Sequence, residues 1–264
     1  MRIWDINPGY LNRQSLLGEH RELHGIISII ANGKYGYSRH PETIRWIGHD
    51  WALAKRHKQL ACEMALRKFT DKSPVISCEN DGTWPTTYID EPDRQFQLLK
   101  EKYIYKEKGR ISLPKNEQQL WSQHKYSVLA RDPNIYKDIG RHVSVIKGDF
   151  PELALLLVEL LRCPPTEGGI RNAIQHMWGY VADIPGSKNF EIHSCSLHRL
   201  LMETQKMAIV TNEPYITGST ALSELMSWLP DIVPVNTKLG VTQLKIENLS
   251  HSAPSEAESQ NPST

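Results

Sequence analysis

Residues 11–34, LNRQSLLGEHRELHGIISIIANGK, constrain the fold most. Leu16, Leu23, Ile27 and Ile30 recur at helical spacing and make one apolar stripe, which predicts an amphipathic helix packed on a core. The same stretch carries Gly18 and Gly25, one turn to either side of Glu22. An interior glycine costs roughly 1 kcal/mol relative to alanine, so two of them need a physical reason. Two reasons are open. The glycines leave helix surface bare, so that a ligand or another backbone can approach the glutamate. Alternatively they permit tight helix–helix packing, which residue type alone favours.

Helical periodicity continues beyond this segment. Trp51, Leu53, Leu60, Met64 and Leu66 fit a second helix, and Gly33–Pro41 between the two is a loop with Tyr35, Tyr37, Arg39 and His40. That loop suits either contact with phosphates and unstacked bases or plain packing. Residues 73–93 are rich in Pro, Asp and Gly and read as an irregular connector, after which a helix resumes near Pro92–Tyr105. Asp132-Pro133 supplies a helix stop and start, and Leu197–Ile209 and Thr220–Leu229 read as further helices. Short strands are confined to Ser73–Ser77 and Thr242–Ile246. The polar, aromatic-free end, residues 250–264, reads as a disordered tail. The expected fold class is mainly α, with two helical modules, 1–110 and 111–235, joined by an irregular connector and with little β structure.

At 264 residues the chain can bury a full core, and its 39% hydrophobic and 23% charged content is that of a soluble globular protein. No apolar run approaches the roughly 20 residues of a membrane span; Leu153–Leu161 is interrupted by Glu159. The first residues lack the apolar core of a signal peptide, so a cytoplasmic location is expected. Cys62, Cys78, Cys163 and Cys195 are scattered without paired spacing and read as reduced thiols. With no His-Glu-x-x-His or Cys-x-x-Cys spacing, no metal and no cofactor are expected. Charge is uneven. Residues 1–72 hold twelve Lys and Arg against seven Asp and Glu, a net +5, whereas residues 111–264 hold thirteen against sixteen, a net −3. A basic front half suits transient contact with DNA.

Gln14, Leu16, Glu19, Arg21-Glu22-Leu23, Ala31-Asn32-Gly33-Lys34 and Gly48-His49 occur in an order and spacing that resemble the pyrimidine-dimer DNA glycosylase family. Arg56-His57, Leu60 and Glu63-Met64 resemble its bacterial members, and the likeness covers about residues 1–72. In that family the nucleophile is the α-amino group of the mature chain, with a helix glutamate beside it. An α-amine titrates near 7.7–8.0, about 2.5 units below lysine, so more of it is neutral at physiological pH. It can attack the sugar C1′, expel the base and leave a Schiff base. The carboxylate stabilises positive charge on the sugar and assists proton removal for strand cleavage.

The resemblance implies Met1 and Glu22 as the catalytic pair. Met1 falls where the family's phage member has a terminal threonine, and the bulky Arg2 should block removal of the initiator methionine. The amine then belongs to Met1. Ser15 replaces a histidine of the phage member. An ordinary buried N-terminal segment anchored by Trp4 is the alternative. DNA contacts are expected from Arg2, Arg21 and Lys34, carried over from the motif, and from Lys55 and Arg56 as charges on the next helix. Lys58 reads as part of a solvated face. Lys102-Tyr103-Ile104-Tyr105-Lys106 is similar to the phage member's aromatic-basic tail.

LWSQHKYSVLARDPNIYKDIGRHVS and GGIRNAIQHMWGYVAD, over roughly 114–185, resemble the YbgA-like helical domain of uncharacterised function. The carrying residues are His124-Lys125, Tyr136, Gly140-Arg141, Asn172, Gln175-His176 and Gly179-Tyr180. Asn172, Gln175, His176 and Gly179 share a helix face. Pointed inward opposite His124, Lys125 and Arg141 they would line a pocket for a base or phosphate; pointed outward they are a solvated face. The expected function is a DNA glycosylase with AP lyase activity, whose partner is double-stranded DNA containing a damaged base. The alternatives are a non-catalytic nucleic-acid-binding protein and a nucleobase-modifying enzyme using the second module.

Overall fold

The computed structural model describes residues 1–75, 82–145, 149–182, 190 and 194–230, and helices account for its regular structure, with no strand among the described residues. After a 3₁₀ turn at Pro8–Tyr10 come α1 (Arg13–Asn32), α2 (Pro41–Trp46), α3 (Asp50–Leu66) and α4 (Pro92–Lys102). They are followed by α5 (Glu117–Leu129), α6 (Pro133–Val145), α7 (Phe150–Arg162), α8 (Glu167–Trp178) and α9 (Leu197–Thr211). Two single turns, α10 (Pro214–Thr217) and α11 (Ala221–Glu224), lead into a 3₁₀ turn at Leu225–Trp228. The expected strand at 73–77 is irregular chain as far as Val75, and the one at 242–246, with the tail at 250–264, lies outside the described residues. No described helix is long and apolar enough to cross a membrane.

Local chemistry sets the helix ends. Asn12 caps α1, its side chain accepting the Ser15 N–H at 2.8 Å, and Gly33 closes the helix at φ +57°, a conformation that favours glycine. Asp132 accepts the N–H groups of Asn134 and Ile135, which starts α6 where the Asp-Pro pair predicts it.

Hydrophobic packing runs across residue 110. One cluster joins Ile3, Trp4 and Ile6, Leu16, Leu23 and Ile26 of α1, and Leu53, Leu60 and Met64 of α3 to Ile111, Leu120, Val128 and the Leu153–Leu161 face of α7. A second gathers α8, α9 and α11 around Leu200, Leu201 and Leu222, with Leu66 of α3 against it. Close backbone crossings tighten each region. A Cβ on Gly109 would lie 2.4 Å from the Tyr10 carbonyl oxygen, and one on Gly169 would lie 2.0 Å from that of Ala130.

Buried charge reinforces the join. Glu63 on α3 is fully buried and accepts from Arg67 at 2.6 Å, Arg110 at 2.7 Å and the Ser223 hydroxyl at 2.6 Å. Burial pushes its pKa up, but Arg110 and Arg67 outweigh that and leave it lowered. Arg110 also donates to the carbonyls of Thr217 and Ser219. Removing one partner of such a cluster costs more than the net worth of the pair, because a buried charge is left uncompensated. Arg110→Ala is therefore expected to lower unfolding free energy by about 3 kcal/mol, measured by urea denaturation against the wild-type chain.

Candidate active site at the chain start

The first six residues thread between α1 and α4. The Arg2 N–H donates to a Glu22 carboxylate oxygen and the Trp4 N–H donates to Glu19 at 3.2 Å. The next two, Asp5 and Ile6, donate to the side-chain oxygen of Gln95 on α4 at 2.8 and 3.4 Å. Glu19 and Glu22 are three residues apart on α1, so they meet alternate N–H groups of an extended chain running opposite to the helix. Met1 continues that line, and its sulfur lies 4.0 Å from where a Cβ on Gly25 would be. Standard bond lengths then put the Met1 α-amine within roughly 6–7 Å of the Glu22 carboxylate.

This geometry explains the glycines. No helix packs on either one: Gly25 faces Met1, and a Cβ on Gly18 would meet nothing within 4 Å. The tight helix–helix packing that residue type favours is thus not their role. Gly18, Glu22 and Gly25 form a bare strip along α1, partly open to solvent.

Lys102, at the end of α4, borders the same strip. Burial lowers its pKa, with Lys106 and Arg2 adding to the effect and Glu22 opposing it. Of the aromatic-basic run that follows, Tyr103 is buried in the core and accepts from the Asn12 N–H, whereas Ile104 is exposed and Tyr105 98% exposed. In the loop after α1, Tyr35 is 94% exposed and Tyr37 is largely exposed, so that loop is not packed.

The expected DNA-binding cations divide. Arg21 is exposed, its Nε bonded back to the Leu17 carbonyl, and Lys34 is exposed beside Ser28. Arg2 is held by Asp90, and its guanidinium lies 4.7 Å from the Trp4 ring centroid. Lys55 sits 4.0 Å over the Trp228 ring and Lys58 donates to the Leu229 carbonyl, so both dock the C-terminal 3₁₀ turn. Arg56 corrects the expectation outright. It is 2% exposed, pairs with Glu19 at 2.8 and 3.1 Å and donates to the Ile6 carbonyl, an interior position without access to phosphate.

The six residues expected to line a second pocket are not brought together. α8 buries Ile170, Ala173, Ile174, Met177 and Trp178, which turns His176 outward and leaves Asn172 and Gln175 half-buried. His124 is buried elsewhere, between the Leu120 carbonyl and Tyr10, and burial pushes its pKa down to about 4. Lys125 lies over the rings of Tyr126 and Tyr215, and Arg141 is exposed and paired with Asp138. Two hollows in this half are lined mostly by other residues: one of about 460 Å³ between α6 and α7, with Ile139, Val143, Leu153 and Leu156, and one of about 550 Å³ over Trp121 and Tyr136, which takes in Arg141 but none of the other five.

A cluster that spacing alone did not flag lies on the other flank of α1. His20 and His24 meet His57 of α3 and Asp71, which follows α3. The signal was present as two histidines four residues apart, on one helix face. Burial pushes His57 down to about 4 against the pull of Asp71, which leaves a neutral imidazole.

The open space at Gly18 makes a double prediction. Gly18→Ala is expected to raise stability by about 0.5–1 kcal/mol through the helix backbone, read as a higher Tm. It should at the same time weaken binding of any ligand that approaches Glu22 along the strip, read by titration of that ligand.

Residues 1–77 match the model of the family described as pyrimidine dimer DNA glycosylase, and residues 125–190 match that of a protein family of unknown function, DUF1722. No curated protein and no solved structure matches the chain. The chain thus joins a segment similar to the pyrimidine dimer DNA glycosylase family, which holds the Glu22 strip, to a segment similar to a family whose function is unknown.

Proposed function

We propose that this chain is a DNA glycosylase for damaged pyrimidines, UV dimers first, with an associated AP lyase step that runs through the α-amine of Met1. The observation that carries the reading is the hydrogen bond from the Arg2 N–H to Glu22, which keeps the chain start beside a carboxylate on a helix face cleared by two glycines.

The chemistry balances with these two groups. The neutral amine attacks C1′ of a flipped nucleotide, the glycosidic bond breaks and the base leaves with its electron pair, taking up a proton. Glu22 stabilises the positive charge on the sugar; the attached amine gives up one proton, and the C1′–O4′ ring bond then breaks, O4′ taking up a proton, to leave an iminium that keeps one N–H. Glu22 then takes a proton from C2′, the C3′–O bond breaks, and hydrolysis frees the amine. Arg21 and Lys34 are the exposed cations available for phosphates, and Tyr35, Tyr37 and Tyr105 are open rings on which unstacked bases can lie. Double-stranded DNA is the expected partner.

Borohydride trapping on abasic-site and thymine-dimer duplexes tests the reading, with intact mass first establishing that the chain begins at Met1. A trapped adduct mapping to the Met1 peptide, lost on N-acetylation, is the expected result. Glu22→Gln should slow turnover by about 10²–10⁴-fold. An adduct on Lys102 would move the nucleophile to the neighbouring amine, and DNA retention without any adduct would leave a binding protein. Arg21→Ala and Lys34→Ala should each reduce the salt dependence of DNA affinity by about one counterion in a log–log titration.

A further inference from the structure

We propose that His20, His24, His57 and Asp71 form a binding site for a divalent transition-metal ion of the Zn²⁺ type. α1 supplies His20 and His24 from one face, α3 supplies His57, and the turn after α3 supplies Asp71. That turn is made by Lys68, which ends α3 at φ +65°, a left-handed conformation uncommon for a side chain of this kind. The three imidazole rings form a near-equilateral triangle, with centroids 4.7, 4.9 and 5.0 Å apart.

Their Nε2 atoms lack hydrogen bonds. The Nε2 atoms of His20, His24 and His57 are all buried without a hydrogen bond, and His57 as a residue is only 3% exposed. A buried polar atom left unsatisfied costs about 1–3 kcal/mol, so three converging on one point call for a common partner. Asp71 approaches two of them, its oxygens 3.3 Å from His20 Nε2 and 3.5 Å from His57 Nε2, but not in hydrogen-bonding alignment.

A cation between the four groups satisfies all of them. With metal–ligand bonds of about 2.0–2.1 Å, the edge of a tetrahedron is about 3.4 Å. The two Asp71 separations already have that length, and all four ligand atoms lie within 4.8 Å of one another. Closing the longest gap takes an approach of about 1.4 Å. Asp71 is itself oriented by the Ser73 N–H, which donates to its Oδ1 at 2.9 Å, an outer contact of the kind that fixes metal ligands. Three imidazoles and one carboxylate make a complete tetrahedral set, which is the pattern of a structural ion.

The site does not overlap the Glu22 strip. At about 100° per residue, Glu22 points roughly 180° away from the direction midway between His20 and His24. The metal would clamp α1 to α3 and to the following turn from behind, fixing the helix that carries Glu22 without touching the reacting atoms. The proposal stands whether or not the glycosylase reading holds.

The test is metal analysis of the full-length chain after desalting. The expected result is about one Zn²⁺ per chain, or uptake of about one on titration, with Tm falling on chelation and returning when Zn²⁺ is restored. Co²⁺ in its place should give the intense visible bands of tetrahedral cobalt. His24→Ala and the near-isosteric Asp71→Asn should each lose the bound metal while keeping the wild-type circular dichroism spectrum, and Glu22→Gln should keep it. A wild-type chain that takes up neither ion and whose Tm ignores Zn²⁺ would overturn the site. So would stoichiometric binding that survives in both His24→Ala and Asp71→Asn.

Discussion

Two carboxylates one helical turn apart hold the beginning of the chain in place. Glu22 accepts from the Arg2 N–H and Glu19 from the Trp4 N–H, so α1 serves as one wall of a slot for an extended peptide. Gln95 on α4 supplies the other wall. Hydrogen bonds to charged acceptors contribute about 1.5–3 kcal/mol each, more than neutral ones, and two in succession fix both direction and register. Glu19 is in turn fixed by Arg56, whose guanidinium also binds the Ile6 carbonyl farther along the same segment. The position of the terminal amine thus depends on a salt bridge buried on the inner side of α1.

That dependence shows why only part of the site was legible in the sequence. The apolar stripe on α1 and the glycines around Glu22 are local patterns, and they located the helix and its open face. Arg56 is different. The run Lys55-Arg56-His57-Lys58 looks like one charged surface, yet α3 lies between α1 and the turn at Leu225–Trp228. Arg56 and His57 therefore face inward while Lys55 and Lys58 cover Trp228 and Leu229. The partners that decide this are some 170 residues away, beyond any spacing rule. Asp71 completes the histidine cluster for a similar reason, since its position depends on a left-handed turn at a lysine that carries no glycine signal. On α8 the polar spacing was real, but five apolar residues compete for the interior and win, so His176 is turned outward and Asn172 and Gln175 are left half-buried at the edge.

The second half of the chain does more than follow the first. Buried groups in residues 1–77 find partners outside that segment: Asp5 pairs with Arg162, and Glu63 with Arg110 and Ser223. Arg131 and Glu224 make a further buried pair that holds α5 to α11, against which α3 packs. The segment matched to a family of unknown function and its neighbours therefore complete the core on which the Glu22 strip rests, and this role requires no pocket of their own.

Amide hydrogen exchange followed by NMR addresses the slot at the chain start most directly. With the Arg2 N–H on Glu22 and the Trp4 N–H on Glu19, both amides should exchange far more slowly than in an unstructured peptide. Glu22→Ala should release Arg2 while Trp4 stays protected. An Arg2 amide that exchanges at the unstructured rate in the wild-type chain would contradict the account, because nothing would then keep the terminal amine beside Glu22.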